Sequence, residues 1–334
     1  IDKMIEAQKV KAEGLKEGRA LTKKIRALLT PEILREEPEP LKQNRKITDE
    51  DEIPSFKDTY DQEFNVSIDD YPVTEKSAAK RLEEFVETSI SNYKELRDIP
   101  SLSSTSNLSS SFAIGLVTSK QAINQVFSSS DGTGTGQFAW VNEIIWREFY
   151  KYITYHYPHV SKGKSFNPKY DLISWREDED SFIKWCEGKT GIPIVDAAMR
   201  QLNQTKWMHN RLRMITAMFL SKNLLIDWRK GERYFMENLI DGDFCSNNGG
   251  WQWSASTGVD ASPYFRIFNP ITQSEKFDPD GKFIKNFVPE LIDCPSNEIH
   301  NPSKETRSSL NYPEMIVDLK SSRLRAIDAF KSIK

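Results

Sequence analysis

The sequence predicts an all-α fold, a multi-helix domain preceded by an extension. Three observations carry this. Apolar residues recur every three or four positions over long stretches, the period of a helix with one buried face. Alternation of apolar and polar residues, the mark of a half-buried strand, is nearly absent. Turn-forming residues gather in a few Ser-, Gly- and Pro-rich breaks between those stretches.

Taken in order, residues 1–30 read as one helix. Met4, Ile5, Leu15, Leu21, Ile25, Leu28 and Leu29 fall at roughly helical intervals, and Gly14 and Gly18 weaken the middle. Pro31 restarts or stops it. Residues 31–70 hold thirteen acidic and five basic residues with Pro31, Pro38, Pro40 and Pro54, the composition of an acidic, poorly ordered connector. The compact unit, 71–334, is expected to begin near Tyr71-Pro72. Thr74 is a plausible N-cap for a helix carrying Ala78, Leu82, Phe85, Val86 and Ile90. A Ser-rich loop over 101–109 leads into a helix running to about Phe127, and a second loop spans Ser128 to Gly136. Helical patterns then cover about 137–157, 179–188, 193–204, 208–222 and 231–240.

The 334 residues allow about two domains, and the 46 basic and 49 acidic residues give a net charge of −3. Thirteen of those bases and 17 of those acids lie in the first 70 residues, so the remainder holds 33 and 32, a charge of +1. The acidic balance therefore belongs to the extension. Mean hydropathy is −0.60, and no run of about 18 apolar residues exists, which excludes a helical membrane span. Cys186, Cys245 and Cys294 form no CxxC, and no HExxH occurs, so neither a disulfide scaffold nor a metal site is expected. Reduced thiols fit an intracellular protein, in prokaryotic cytoplasm or a eukaryotic nucleus. A chain that begins at Ile1 with no signal segment is expected to be a fragment or a trimmed product. All eight tryptophans fall between Trp140 and Trp253, which suggests a packed aromatic core, a stacking surface, or both.

Four segments carry chemistry. In WVNEIIWREFY, Trp140, Glu143, Trp146, Arg147 and Tyr150 share a 120° arc of a helix drawn at about 100° per residue, with Val141 and Ile145 opposite. That face is either a pocket wall for a flat polar ligand or a helix interface with a buried ion pair. In MHNRLRM, Asn210, Arg213 and Met214 share a face, with Arg211 to the side. Arg213 there would clamp an anion, or, the favoured reading from spacing alone, bond to core carbonyls. Asp241-Gly242-Asp243, followed by NNGGWQW, offers acceptors for ring N–H groups or hydroxyls, weak ligands for a divalent ion, or only a turn. Thr105-Ser106-Asn107-Leu108-Ser109 before a helix is an anion cradle or a capped helix start. The GTGTG run over 132–136 follows no strand, so a Rossmann site is not supported.

Together these segments resemble the photolyase/cryptochrome family in its FAD-binding helical domain, with the pattern of class I cyclobutane pyrimidine dimer (CPD) photolyases. The resemblance spans about 71–334, through Tyr71 to Lys76, Thr105 to Ser109, Trp140 to Tyr150, Gly188 to Arg200, Trp207 to Phe219, Leu224 to Arg229, Asp241 to Trp253 and Ser256 to Pro270. It implies light-driven repair of pyrimidine dimers in DNA by electron transfer from one non-covalent FAD. Tyr93, Thr105 to Ser109, Trp140, Arg147, Arg213, Asp241, Gly242, Asp243 and Asn247 would hold the cofactor. Arg213 would pair with Asp241, and Asn247 would lie near flavin N5. Trp251, Trp228 and Trp175 would carry electrons to the surface. Trp146 and Trp253 would flank the flipped dimer, while Glu143, Asn210 and Met214 line its pocket. Arg97, Arg147, Arg211, Arg266 and Gln273 would face DNA.

Photolyases for (6-4) lesions resemble this family but use two histidines, four apart, at positions that here hold Asn210 and Met214. Asn247 also speaks against animal and plant cryptochromes. A flavin photoreceptor without repair activity is the alternative implied by the same resemblance. The sequence departs from the family at Asn107, commonly Arg, and at Ser104, commonly Gly. The family's α/β antenna domain finds no match in residues 1–70, so no antenna pigment is expected in this chain, which is expected to be monomeric.

Overall fold

The structure, a computed structural model, describes residues 71–129 and 134–333. The helix expected over 1–30 and the acidic connector over 31–70 lie outside the described residues. Among the described residues all regular elements are helical.

Thr74 starts α1 (Glu75–Thr88) with a capping box. Its Oγ1 accepts the Ser77 amide at 3.1 Å, and Ser77 Oγ accepts the Thr74 amide at 3.1 Å. Two short helices follow, α2 (Tyr93–Leu96) and α3 (Ser109–Ile114). The single helix expected up to Phe127 is in fact two. α3 stops where Gly115 takes φ +82°, a left-handed cap, and α4 (Ser119–Ser129) begins afresh. The long α5 (Thr135–His156) crosses the molecule. α6 (Glu179–Glu187) and α7 (Pro193–Thr205) match their expected spans.

The helix expected over 208–222 is α8 (Asn210–Met218) continued by a π-helical turn, Phe219–Leu224. A π turn keeps nearly helical apolar spacing, so periodicity does not distinguish it. α9 (Trp228–Asn238) begins three residues earlier than expected, because Asp227 accepts the Arg229 amide and caps it there. α10 (Phe244–Ala255) is capped by Asp243. Four more helices complete the chain: α11 (Pro270–Phe277), α12 (Lys282–Phe287), α13 (Lys304–Ser309) and α14 (Leu319–Ser332).

Among the described residues two large apolar cores form, with a small third cluster around Ile173, Phe330 and Ile333. The smaller joins α1 to α5 around Phe85, Phe112, Trp140 and Phe149. The larger joins α6 to α10 around Trp185, Met199, Leu212, Phe235 and Trp251. α10 packs against both α5 and α9, and two glycines set how closely. A Cβ on Gly249 would sit 2.1 Å from the Tyr150 ring of α5, and one on Gly231 of α9 would sit 2.1 Å from the Trp251 ring. Gly249→Val is therefore expected to destabilise the fold by about 1–3 kcal/mol through overpacking, read as a lower urea midpoint. Gly250→Ala, whose Cβ meets nothing within 4 Å, is expected to raise that midpoint slightly, since alanine in a helix interior is about 0.5–1 kcal/mol better than glycine.

Candidate active site

The N-terminal halves of α8 and α10, with the end of α9 and the loop that follows it, line a partly open cavity of about 130 Å³. Asp241, Asp243, Arg213 and Asn247 line it together with Asn210, Met214 and the apolar rings of Phe235 and Trp251. Arg213 Nη2 donates to both oxygens of Asp241 at 2.9 and 2.7 Å, and its Nε donates to the Met208 carbonyl at 2.8 Å. Both roles foreseen for Arg213, anion clamp and carbonyl donor, are thus filled at once. The Asp241 side chain is only 2% exposed, so this ion pair must be fully hydrogen-bonded to offset its desolvation.

Asp243 accepts the Ser246 amide at 2.9 Å and Arg147 Nη1 at 2.6 Å. Burial alone pushes its carboxyl up, but the Ser246 amide and the Arg147 guanidinium outweigh this and hold it below the usual carboxylate range. Arg147 Nη2 also donates to the Phe112 carbonyl at 2.7 Å, which ties α3, α5 and α10 together. Both carboxylates of the Asp-Gly-Asp motif are therefore committed to guanidinium groups, which disfavours the metal reading of that motif. Among the described residues no cluster of three or more His, Cys, Asp or Glu side chains is placed to hold a metal ion. Asn247 Nδ2 donates to the Glu232 carbonyl at 2.9 Å, fixing its amide at the cavity wall.

The α5 face divides into three parts. Trp140 is 3% exposed and packs on Phe85 and Phe112 at ring distances of 5.3 and 6.5 Å, so it lies in core rather than on a cavity wall. Glu143 accepts from Arg97 Nη1 at 2.6 Å, an ion pair between helices. Trp146 and Tyr150 are half-buried, with ring centroids 6.1 Å apart. Tyr150 lines a narrow recess with Trp253 and Gly249. Tyr93 is buried against Phe85 and lies under the Arg97 guanidinium, 5.2 Å from its ring centroid.

Thr105, Ser106 and Asn107 line a separate open groove together with Thr205 and Gln201. The start of α3 has no side-chain cap, and the buried hydroxyls of Ser110 and Ser111 have no hydrogen-bond partner. The capped-helix reading of this segment is thus not favoured. Trp207 lines the same groove and donates to Ser109 Oγ at 3.3 Å. Asp98 was missed. It accepts from Arg211 at 2.7 Å and lies beside Arg97, joining the two arginines. Its signal was its place next to Arg97 in sequence.

Trp251 and Trp228 are buried and carry ring N–H groups without partners, while Trp175 is half-buried. Trp251 lies against the α9 backbone at Gly231, one turn beyond Trp228. Trp185 is core. It stacks on Phe182 and Phe235 and donates to the Thr216 carbonyl at 3.2 Å. Arg211 covers the Phe277 ring at 4.4 Å on α11, the helix that carries half-buried Gln273. Arg266 is exposed in the loop after α10.

The profile of the family described as the FAD binding domain of DNA photolyase matches residues 140–332. The chain belongs to this family. It is 49% identical over 271 residues to the deoxyribodipyrimidine photo-lyase of Escherichia coli K12, a match covering 79% of this chain and 57% of that protein. It is 49% identical over 279 residues to the enzyme of the same name from Neurospora crassa, covering 78% and 45%. Among solved structures, a bacterial class III photolyase from Agrobacterium tumefaciens superposes with TM-score 0.74 at 42% identity, covering 78% of this chain and 56% of that one. A Synechocystis cryptochrome superposes with TM-score 0.70 at 29% identity, covering 79% and 56%. The chain spans about half the length of the curated relatives it matches. For the cofactor of this family the residues present fit: paired carboxylates and a fixed amide around a cavity, and the polar side chains of Thr105, Ser106 and Asn107 along an open groove.

Proposed function

We propose that this chain binds one FAD non-covalently and repairs cyclobutane pyrimidine dimers in DNA under blue or near-UV light, as a monomeric intracellular enzyme without an antenna pigment in the chain. The observation that carries the reading is that residues expected on the flavin side and on the lesion side line one cavity. Asp241, Asp243, Arg213 and Asn247 share it with Asn210 and Met214. FAD, when bound in reduced form, supplies the photoexcited electron that opens the cyclobutane ring.

The protein's own work is positioning. Asp241 and Asp243, each oriented by an arginine, would accept hydrogen bonds from the flavin ring, and Asn247 would present a neutral amide. Thr105, Ser106 and Ser109 would meet the phosphates. A dimer inside a duplex cannot reach such a cavity and must be flipped out. The indoles of Trp146 and Trp253 would replace the lost stacking. Asn210 and Met214 have no acidic proton to give, which suits dimer splitting and not a reaction needing a proton donor.

The reading is tested by giving photoreduced protein a dimer-containing oligonucleotide in light and in darkness. Restored pyrimidines are expected only in light. None, with flavin bound, would overturn the repair claim and favour the photoreceptor alternative, which the cryptochrome match keeps in view. A separate prediction concerns the tryptophan chain. Trp251→Phe is expected to slow photoreduction of the oxidised cofactor by at least about tenfold, the effect of a barrier raised by about 1.4 kcal/mol. Transient absorption unchanged from the parent would remove Trp251 from the route.

A further inference from the structure

We infer that the loop after α5 is a phosphate clamp for the DNA backbone flanking the lesion, formed by Lys162, Lys164 and Lys169. The inference deepens the repair reading and rests on it. Residues 151–170 contain four lysines and two histidines but not one acidic residue, in a chain where acids outnumber bases. Lys151 is occupied by Glu148 at 3.4 Å. Lys162, Lys164 and Lys169 are all exposed, and among the described residues none of the three has an ion-pair partner. The acid nearest in sequence, Asp171, is bonded to Arg229 and the Ser165 amide; Lys164 is near enough to help lower its carboxyl but forms no ion pair with it.

By contrast, three of the arginines expected on the DNA side are already neutralised. Arg97 pairs with Glu143, Arg147 with Asp243 and Arg211 with Asp98. A cation held by a carboxylate releases few counterions when a phosphate arrives, whereas a free lysine releases its full share. The salt-sensitive part of binding should therefore come from free cations, and this loop gathers three of them within eight residues.

The loop is also fixed beside the recess that holds Trp253. Gln252, the residue before it on α10 and only 2% exposed, accepts the Phe166 amide at 2.8 Å and donates to the Lys164 carbonyl at 3.4 Å. Asn248 extends the contact, donating to the Val160 carbonyl at 3.4 Å. Val160 and Phe166 line the recess with Trp253, and Asp260 is the carboxylate in its lining. The backbone that presents the lysines is thus bonded to the helix that carries the stacking indole. A duplex whose flipped base meets Trp253 would lay its flanking phosphates along these side chains.

The test is the salt dependence of binding to a dimer-containing duplex by fluorescence anisotropy, for the full chain and its K162Q/K164Q/K169Q variant. Each phosphate contact contributes about 0.9 to the slope of log affinity against log salt, so losing three should flatten the slope by about 2.7. Between about 50 and 200 mM salt, the parent's advantage over the variant should then shrink roughly 40-fold. K162R/K164R/K169R should restore the parent slope. Parallel slopes for parent and glutamine variant, with the parent binding the duplex, would overturn the clamp alone. A parent with no affinity for the dimer-containing duplex would overturn the repair reading and the clamp with it. Slopes that differ equally on undamaged duplex would support the clamp, since backbone contacts carry no sequence information.

Discussion

Arg213→Met is expected to lower the stability of the chain by about 3–5 kcal/mol, the cost of leaving a buried charge without its partner. Asp241 is the charge left behind, 2% exposed, with both oxygens bonded to Arg213 in the parent. The Met208 carbonyl loses a donor in the same change. Urea unfolding reads the loss, and the flavin absorption of the purified variant should fall with it, because Asp241 lines the cavity. Asp241→Asn should be milder, since the guanidinium it strands is 26% exposed. The comparison is Lys184→Met, which breaks an exposed pair with Asp180 and should cost about 0–1 kcal/mol. A midpoint shift for Arg213→Met no larger than that would show that the pair does not hold the cavity.

Trp253→Ala should strike recognition and spare the cofactor. Trp253 lies in the recess with Tyr150 and is half-buried, with Phe268 edge-on at 6.4 Å. A stacking partner is worth about 1–3 kcal/mol per base, so affinity for a dimer-containing oligonucleotide should fall roughly 5- to 150-fold. Affinity for undamaged DNA should change little, because backbone contacts carry that binding. An unchanged preference for the damaged strand would remove Trp253 from the lesion pocket.

The parts of this site that were legible in the sequence are those set by local spacing. One turn of α5 brings Trp146, Arg147 and Tyr150 to one side because a helix repeats every 3.6 residues. Asp243 caps α10 because its carboxylate is three residues from the Ser246 amide that it accepts. What was not legible depends on distant chain. The period that groups Trp140 with Trp146 says nothing of Phe85 and Phe112, which draw Trp140 into the core. Asp98 meets Arg211 across 113 positions, and Trp207 meets Ser109 across 98. The break at Gly115 did have a local signal, a glycine at a helix end, which apolar spacing on both sides masked. The π turn after α8 had none.

The proposed cavity is expected to open one lesion type and leave the other. This is tested most directly by illuminating the photoreduced chain with UV-damaged DNA that contains both dimers and (6-4) products, and following each by mass spectrometry. The expected result is loss of cyclobutane dimers in light, with the (6-4) products unchanged, because Asn210 and Met214 offer no proton donor. Dimers that persist under light with flavin bound, or (6-4) products that disappear, would contradict it.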